Sequence, residues 1–376
     1  MKHFTLLLSL LLSLLLSLLL TSATFADSSK TLLEAVDGRF DIGVGIGLKA
    51  FEEPENRTLV NSHFNYVTPE NCMKFASTQP AEGEFQFEKP DAFVQLAETN
   101  DLKVLGHCLI WAKDDRTPEW FYRDGENEVS PAVLMQRMKT HIRTVVERYR
   151  GRIHSWDVVN EAIGTQSDEY LRNSVWANLL SDDFIVEAFR YTRELDPDSL
   201  LIYNDYNLHE PWRRERMERL VGKLQSERAP IDAVGIQGHF VINEVPYEAL
   251  EELLISVRNL NLKIAISELD IDVIPRGIWW ADGGKNREEV AKIDPYPDGC
   301  PPELLEQQAE QYARLFQLFQ KYEDVILRIS FWNIHDGESW LNHFPWERVN
   351  HPLLFDRDRQ PKPAFHSVVK TLTADS

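Results

Sequence analysis

Twice in this chain a short apolar run gives out at a glutamate: Trp156-Asp157-Val158-Val159-Asn160-Glu161 and Ile264-Ala265-Ile266-Ser267-Glu268-Leu269-Asp270. Two carboxylates at strand ends, far apart in sequence but able to converge on one cleft, can divide the work of acid and nucleophile. One must be protonated near neutral pH to assist a leaving oxygen, and the other ionised to attack carbon. Environment sets that difference. A carboxylate held by hydrogen-bond donors stays charged, and its charge raises the pKa of its neighbour. His239 is a candidate donor to Glu268, and Asp270, two residues on and so on the same strand face, is placed to orient that histidine.

Other apolar runs end in residues of the same kind. They contribute Glu70, Asn71 and Lys74; His107 and Trp111; Asn160; Asn204, Asp205 and Tyr206; Gln237; and Trp332, His335, Asp336 and Trp340. Amides, carboxylates and histidines satisfy many hydroxyls at once, while indole faces stack on the C–H surface of pyranose rings. That mixture suits a sugar site. Trp279 and Trp280 are ambiguous between loop packing and a distal subsite.

The elements that must position these residues alternate. Strand-like runs lie near Phe40–Ile46, Phe64–Val67, Lys103–Ile110, His154–Val159, Leu200–Tyr203, Ala233–Ile236, Lys263–Ser267 and Leu327–Trp332. Between them, Ser130-Pro131 reads as an N-cap and first-turn proline, followed by Leu134, Met138, Ile142, Val145 and Tyr149 on one helical face. Asp91–Glu98, Asp182–Leu195, Trp212–Glu227, Tyr247–Leu260 and Glu303–Tyr322 read as further helices. Strands alternating with helices imply parallel pairing. A single α/β domain forming a closed (β/α)8 TIM barrel, with its active site at the C-terminal ends of the strands, is the economical arrangement. An open doubly wound sheet is the alternative, but Gly43-Val44-Gly45-Ile46-Gly47 is only a weak likeness of a phosphate loop. The irregular stretch Ile271–Pro302 follows the strand of Glu268 and is expected to overhang the site.

Residues 1–26 stand apart. Lys2 and His3 precede a run from Leu6 to Leu20 made only of Leu and Ser, and small residues follow up to Ala26. This is the pattern of a signal peptide removed after Ala26, with Ala23 the secondary position, leaving residues 27–376 as the catalytic domain of an exported protein, periplasmic or extracellular. The run is short for a membrane span, so no membrane association is expected once it is removed. A formal charge of −20 argues against nucleic acid and anionic membranes as partners. Cys72, Cys108 and Cys300 are odd in number, so at least one thiol is unpaired in a monomer.

Together the motifs carry a resemblance. Val67 to Lys74, Gly106 to Trp111, Trp156 to Glu161, Tyr203 to Asn207, Gly235 to His239, Ile266 to Asp270 and Phe331-Trp332 through Trp340 occur in the order and separations of the family 10 glycoside hydrolases. The chain resembles these retaining endo-β-1,4-xylanases from about Leu32 to Leu372. The resemblance implies that Glu161 is the general acid/base and Glu268 the nucleophile, with Asn160 on the 2-hydroxyl of the −1 sugar. It implies that Glu70, Asn71 and Lys74 hold xyloses on the non-reducing side. His107, Trp111, Gln237, His239, Trp332 and Trp340 would line the −1 and −2 subsites, with Asn204 and Tyr206 also contacting substrate and Asp270 in support. Xylan and xylo-oligosaccharides are the implied ligands, with no cofactor, no metal and a monomeric state. Two departures stand out. After Trp111 the chain reads Ala112 to Trp120, with Asp114 or Arg116 in place of the family's glutamine, and Asn333 and His335 stand where Gly and Thr are common. A metal-dependent hydrolase using His107, His239, His335 and Asp336 is a different reading, but no closely spaced histidine pair ends a strand to seed such a site. A silent xylan-binding protein is the third, opposed by the presence of both glutamates and Asn160.

Overall fold

The computed structural model describes residues 30–274, 294–344 and 346–374. Residues 1–26 and Trp279-Trp280 lie outside these. Each apolar run becomes a strand: β1 Asp41–Ile46, β2 Tyr66–Pro69, β3 Lys103–Gly106, β4 Ser155–Asn160, β5 Leu200–Tyr206, β6 Ala233–Gln237, β7 Lys263–Asp272 and β8 Ile326–Trp332. All neighbours pair in parallel. β7 pairs with both β6 and β8, and β8 pairs with β1, so the sheet closes on itself. The fold is a (β/α)8 barrel.

Helices return the chain from the top of each strand to the bottom of the next: α1 Pro54–His63, α2 Glu88–Thr99, α3 Pro131–Tyr149, α4 Asp183–Leu195, α5 Pro211–Ser226, α6 Tyr247–Asn259, α7 Pro302–Lys321 and α8 Pro363–Thr373. α3 starts as its sequence requires. Ser130 accepts from Val133 N, Pro131 follows, and Leu134, Met138, Ile142, Val145 and Tyr149 are buried. Burying each such side chain contributes about 1.5–3 kcal/mol before entropy is counted.

Several boundaries differ from expectation. β2 starts two residues late, because α1 runs to His63 and Phe64 N still bonds to Val60 O. The run Lys103–Ile110 is not one strand: β3 stops at Gly106, the His107–Cys108 peptide is cis, and pairing resumes only at Ile110–Trp111. β7 runs on to Asp272, so the irregular stretch starts later than Ile271. Cys72, Cys108 and Cys300 are free thiols.

Inside the barrel Tyr66, Leu105, Ile202, Ala233 and Ala265 form an apolar cluster, with the polar Ser155 and the charged Arg328 beside Tyr66. The small residues of β1 make room for large ones opposite. A methyl on Gly45 would lie 2.7 Å from Trp332 Cε3, so the glycine-rich run is a packing device and not a phosphate cradle.

Candidate active site

Both strand-end glutamates sit where the backbone departs from regularity. β4 slips register against β5 between Asp157 and Val159. The slip lets Asp157 and Asn160, three apart, both reach the interior, which a regular strand would forbid. Glu161 follows with φ 57, in the left-handed region, and its N–H bonds to Asn204 O at 2.9 Å. β7 slips against β8 between Ile266 and Leu269, a span that contains Glu268.

A chain of hydrogen bonds joins the two carboxylates. Gln237 Nε2 donates to Glu161 Oε1 at 3.2 Å and to Asn160 Oδ1 at 3.4 Å. Asn204 Nδ2 donates to Asn160 Oδ1 at 3.0 Å and to Glu268 Oε1 at 2.8 Å. Ser267 Oγ fixes the amide of Asn204 from behind, donating to its Oδ1 at 2.6 Å. Because Asn160 Oδ1 accepts twice, its Nδ2 is the end left for a ligand. His239 stands between two carboxylates, Nε2 3.1 Å from Glu268 Oε2 and Nδ1 2.9 Å from Asp270 Oδ2. Trp340 Nε1 donates to the same Asp270 oxygen at 2.8 Å.

These surroundings push the two carboxyl groups apart. Burial raises the pKa of Glu161 and the charge of Asp205 adds to it, while Arg172, 3.5 Å away, and Gln237 offset it only in part. Burial would raise Glu268 as well, but His239, His107 and the Asn204 amide outweigh it and bring the group below the ordinary carboxylate value. Burial would lower His239 in turn, yet Asp270 and Glu268 lift it to about 9. At neutral pH the site therefore holds an imidazolium against an ionised Glu268, beside a Glu161 inclined to keep its proton.

The remaining expected residues gather around this pair. His107 Nδ1 bonds to Asp157 Oδ2 at 2.8 Å, and its ring lies 5.4 Å from Trp332 and 6.5 Å from Trp111. Lys74 donates to Asn71 Oδ1 at 2.8 Å and stands 5.3 Å from the Trp111 ring. Glu70 is half-buried beside them. A cavity of about 890 Å³ shares Asn71 with the site and contains neither Glu161 nor Glu268. Asn204 is completely buried with its amide fully engaged, so it orients Asn160 and Glu268 from behind the surface. Tyr206 is half-buried and accepts from Arg172 at 3.0 Å.

The two departures resolve differently. Asp114 turns away and caps the helix Val175–Leu180 through Val175 N at 3.0 Å. Arg116 instead stands 5.3 Å from the Trp111 ring. His335 is buried behind the site. Its Nε2 bonds to Asn56 Oδ1 at 3.2 Å and its Nδ1 accepts from Gly337 N at 3.1 Å, while Asp336 is held by Lys362 at 2.9 Å. Among the described residues no cluster of His, Cys, Asp or Glu is arranged to hold a metal ion.

Arg172, Asp157 and Ser267 escaped the sequence reading. Asp157 carried a signal, a charged residue inside an apolar strand run. Arg172 lies on a loop with no periodicity to place it.

The sequence pattern of glycosyl hydrolase family 10 matches residues 31–371. An endo-1,4-beta-xylanase from Geobacillus stearothermophilus is 38% identical over 346 residues, covering 91% of this chain and 98% of that protein. A beta-1,4-xylanase from Dictyoglomus thermophilum is 34% identical over 341 residues, covering 90% of each. Among solved structures, xylanase B from Clostridium stercorarium F9 superposes with a TM-score of 0.82 at 37% identity, over 90% of this chain and 99% of that one. A mutant in complex with xylotriose superposes at 0.81 and 34% identity, over 91% and 99%.

Proposed function

The chain belongs to glycosyl hydrolase family 10 and is a retaining endo-1,4-β-xylanase of that family, and from that premise we propose that Glu161 and Glu268 carry its two chemical steps. In the first, Glu268 attacks the anomeric carbon of the −1 xylose while Glu161 gives its proton to the departing glycosidic oxygen. The bond to the leaving chain breaks as a glycosyl ester to Glu268 forms. In the second, Glu161, now a carboxylate, takes a proton from water, whose oxygen attacks the same carbon and releases Glu268. Two inversions give net retention.

The observation that carries this assignment is the opposite displacement of two carboxyl groups joined by one hydrogen-bonded chain. His239, held protonated by Asp270, supplies the positive charge that keeps Glu268 ionised. Asn160 presents its Nδ2 to the 2-hydroxyl, a contact that strengthens as the oxocarbenium-like transition state develops. Glu70, Asn71 and Lys74 bind the non-reducing side of xylan, with Trp111, Trp332 and Trp340 as ring platforms. Residues 1–26 direct export.

The test is covalent trapping with a 2-deoxy-2-fluoro xylobioside bearing an activated leaving group. The label should reside on the peptide containing Glu268, and the Glu268→Gln variant should neither take it up nor release sugars from xylan. A label on another residue refutes the nucleophile assignment, and a wild type inert on xylan refutes the substrate.

A further inference from the structure

The interior of the barrel holds a cation that the mechanism above does not use. Arg328 lies on β8 opposite Asp41, two residues below Ser330 and four below Trp332, on the inward face. It is 3% exposed. Its guanidinium carbon lies 4.3 Å from the Tyr66 ring, and Nη1 donates to Ser155 Oγ at 3.2 Å. Nε and Nη2 have no partner among the described protein groups. The next interior level holds the complement. Asp157 Oδ1, Ser330 Oγ and Thr68 Oγ1 are also buried and also without a protein partner. Thr68, Asp157 and Ser330 follow Tyr66, Ser155 and Arg328 by two residues on their strands, which puts them on the same inward face one level above the guanidinium.

A charged donor left unmet in a low-dielectric interior is too costly to persist beside unmet acceptors. Water is the group small enough to serve both, since buried waters sit where two to four polar partners converge. Asp157 connects this level to the site above through its other oxygen, which holds His107 Nδ1 at 2.8 Å.

We propose that Arg328 is a positioning residue for catalysis: it acts through internal water on Asp157 and so fixes His107 in the floor of the substrate cleft. Arg328 from β8, His107 and the buried Cys108 thiol beyond β3, and Glu268 from β7 are charged or titratable groups that face Asp157, with Tyr66 of β2 stacked on the arginine. Burial pushes the Asp157 carboxyl up, and His107 and Arg328 oppose that rise. Without the guanidinium Asp157 takes a proton at higher pH. It then no longer holds His107 with full charge, and activity falls sooner as pH is lowered.

This inference rests on the xylanase reading, and its test separates the two. Arg328→Met keeps the bulk and removes the charge, while Arg328→Lys keeps a charge. On an aryl xylobioside the Met variant should lose about tenfold in kcat/KM, with its acid limb moved up by about one pH unit and the Lys variant between it and wild type. In an Asp157→Asn background the same Arg328→Met change should shift nothing. An unmoved acid limb in the Met variant overturns the proposal, whatever the loss of activity, because a merely structural arginine changes stability alone. Should the Met variant fail to fold, a high-resolution crystal structure of the wild type decides: ordered water within hydrogen-bond distance of both the guanidinium and Asp157 Oδ1 supports the relay, and its absence overturns it. An inert wild type would count against the xylanase reading instead.

Discussion

Asp270→Asn removes one charge from the site while keeping the side chain's shape and leaving an oxygen to accept from Trp340 Nε1. The structure sets the size of the effect. His239 is lifted from 6.5 to about 9 against the pull of burial, and Asp270 is the largest of the groups that lift it. That rise corresponds to roughly 3 kcal/mol favouring the imidazolium in the folded protein. Because the folded value lies above the unfolded one, this stability is fully present below about pH 6.5. It is lost as pH rises towards about 9. The stability difference between wild type and Asp270→Asn, measured by urea unfolding across pH 5 to 10, should therefore be about 1–3 kcal/mol at the acidic end and shrink towards zero at the alkaline end. Activity should respond through Glu268. With His239 neutral at pH 7 the nucleophile loses its cation, its pKa rises, and the acid limb of kcat/KM moves upward. A stability difference that is flat across this range, with an unmoved acid limb, would refute the claim that Asp270 acts by charging His239.

Three further outcomes follow from the same geometry. Glu161→Ala should lower kcat on xylan by about 10²–10⁴. An aryl xylobioside whose leaving group needs no proton should still form the glycosyl-enzyme at a near-normal rate and then stall until azide is added; an equal loss on both substrates would remove Glu161 from the acid role. Gly235→Ala places a methyl 2.4 Å from Asn204 Oδ1. The overpacking should cost about 1–3 kcal/mol in urea unfolding and lower kcat as well, because Asn204 holds both Asn160 and Glu268; unchanged activity would show that the cleft does not depend on that amide. For export, Edman sequencing of protein recovered outside the cytoplasm should begin at Asp27, and a chain that keeps Lys2 would refute cleavage.

Much of the barrel could be read from sequence because its signals are redundant. Each β run is short, apolar and followed by polar or aromatic residues, and a parallel barrel buries both faces of its strands, so no alternation is needed to find them. α1 was missed for the opposite reason. Pro54–His63 is mostly polar and buries only Asn56 and Val60, so it carries almost no periodic signal. Its Asn56 nonetheless binds His335 and Arg359, and the chemistry of that contact was invisible until α1 was placed.

The site itself exposes a deeper limit. Parity along a strand assigns alternate residues to alternate faces, and by that rule Asp157 and Asn160 should oppose one another. The register slip in β4 puts both inside, and the slip in β7 falls across Ser267 and Glu268. No residue type at either place announces a slip. Arg328 makes the same point from below. It is a lone charge in the apolar strand Ile326–Trp332, and the outward positions of β8 are filled by Ile329 and Phe331 against the helices. Only the closed barrel, with glycines on β1 and polar side chains on β2 and β4, gives the guanidinium an interior it can occupy. Strand-end chemistry is thus legible one strand at a time. What tunes it lies between strands, and must be sought where the regular pattern breaks.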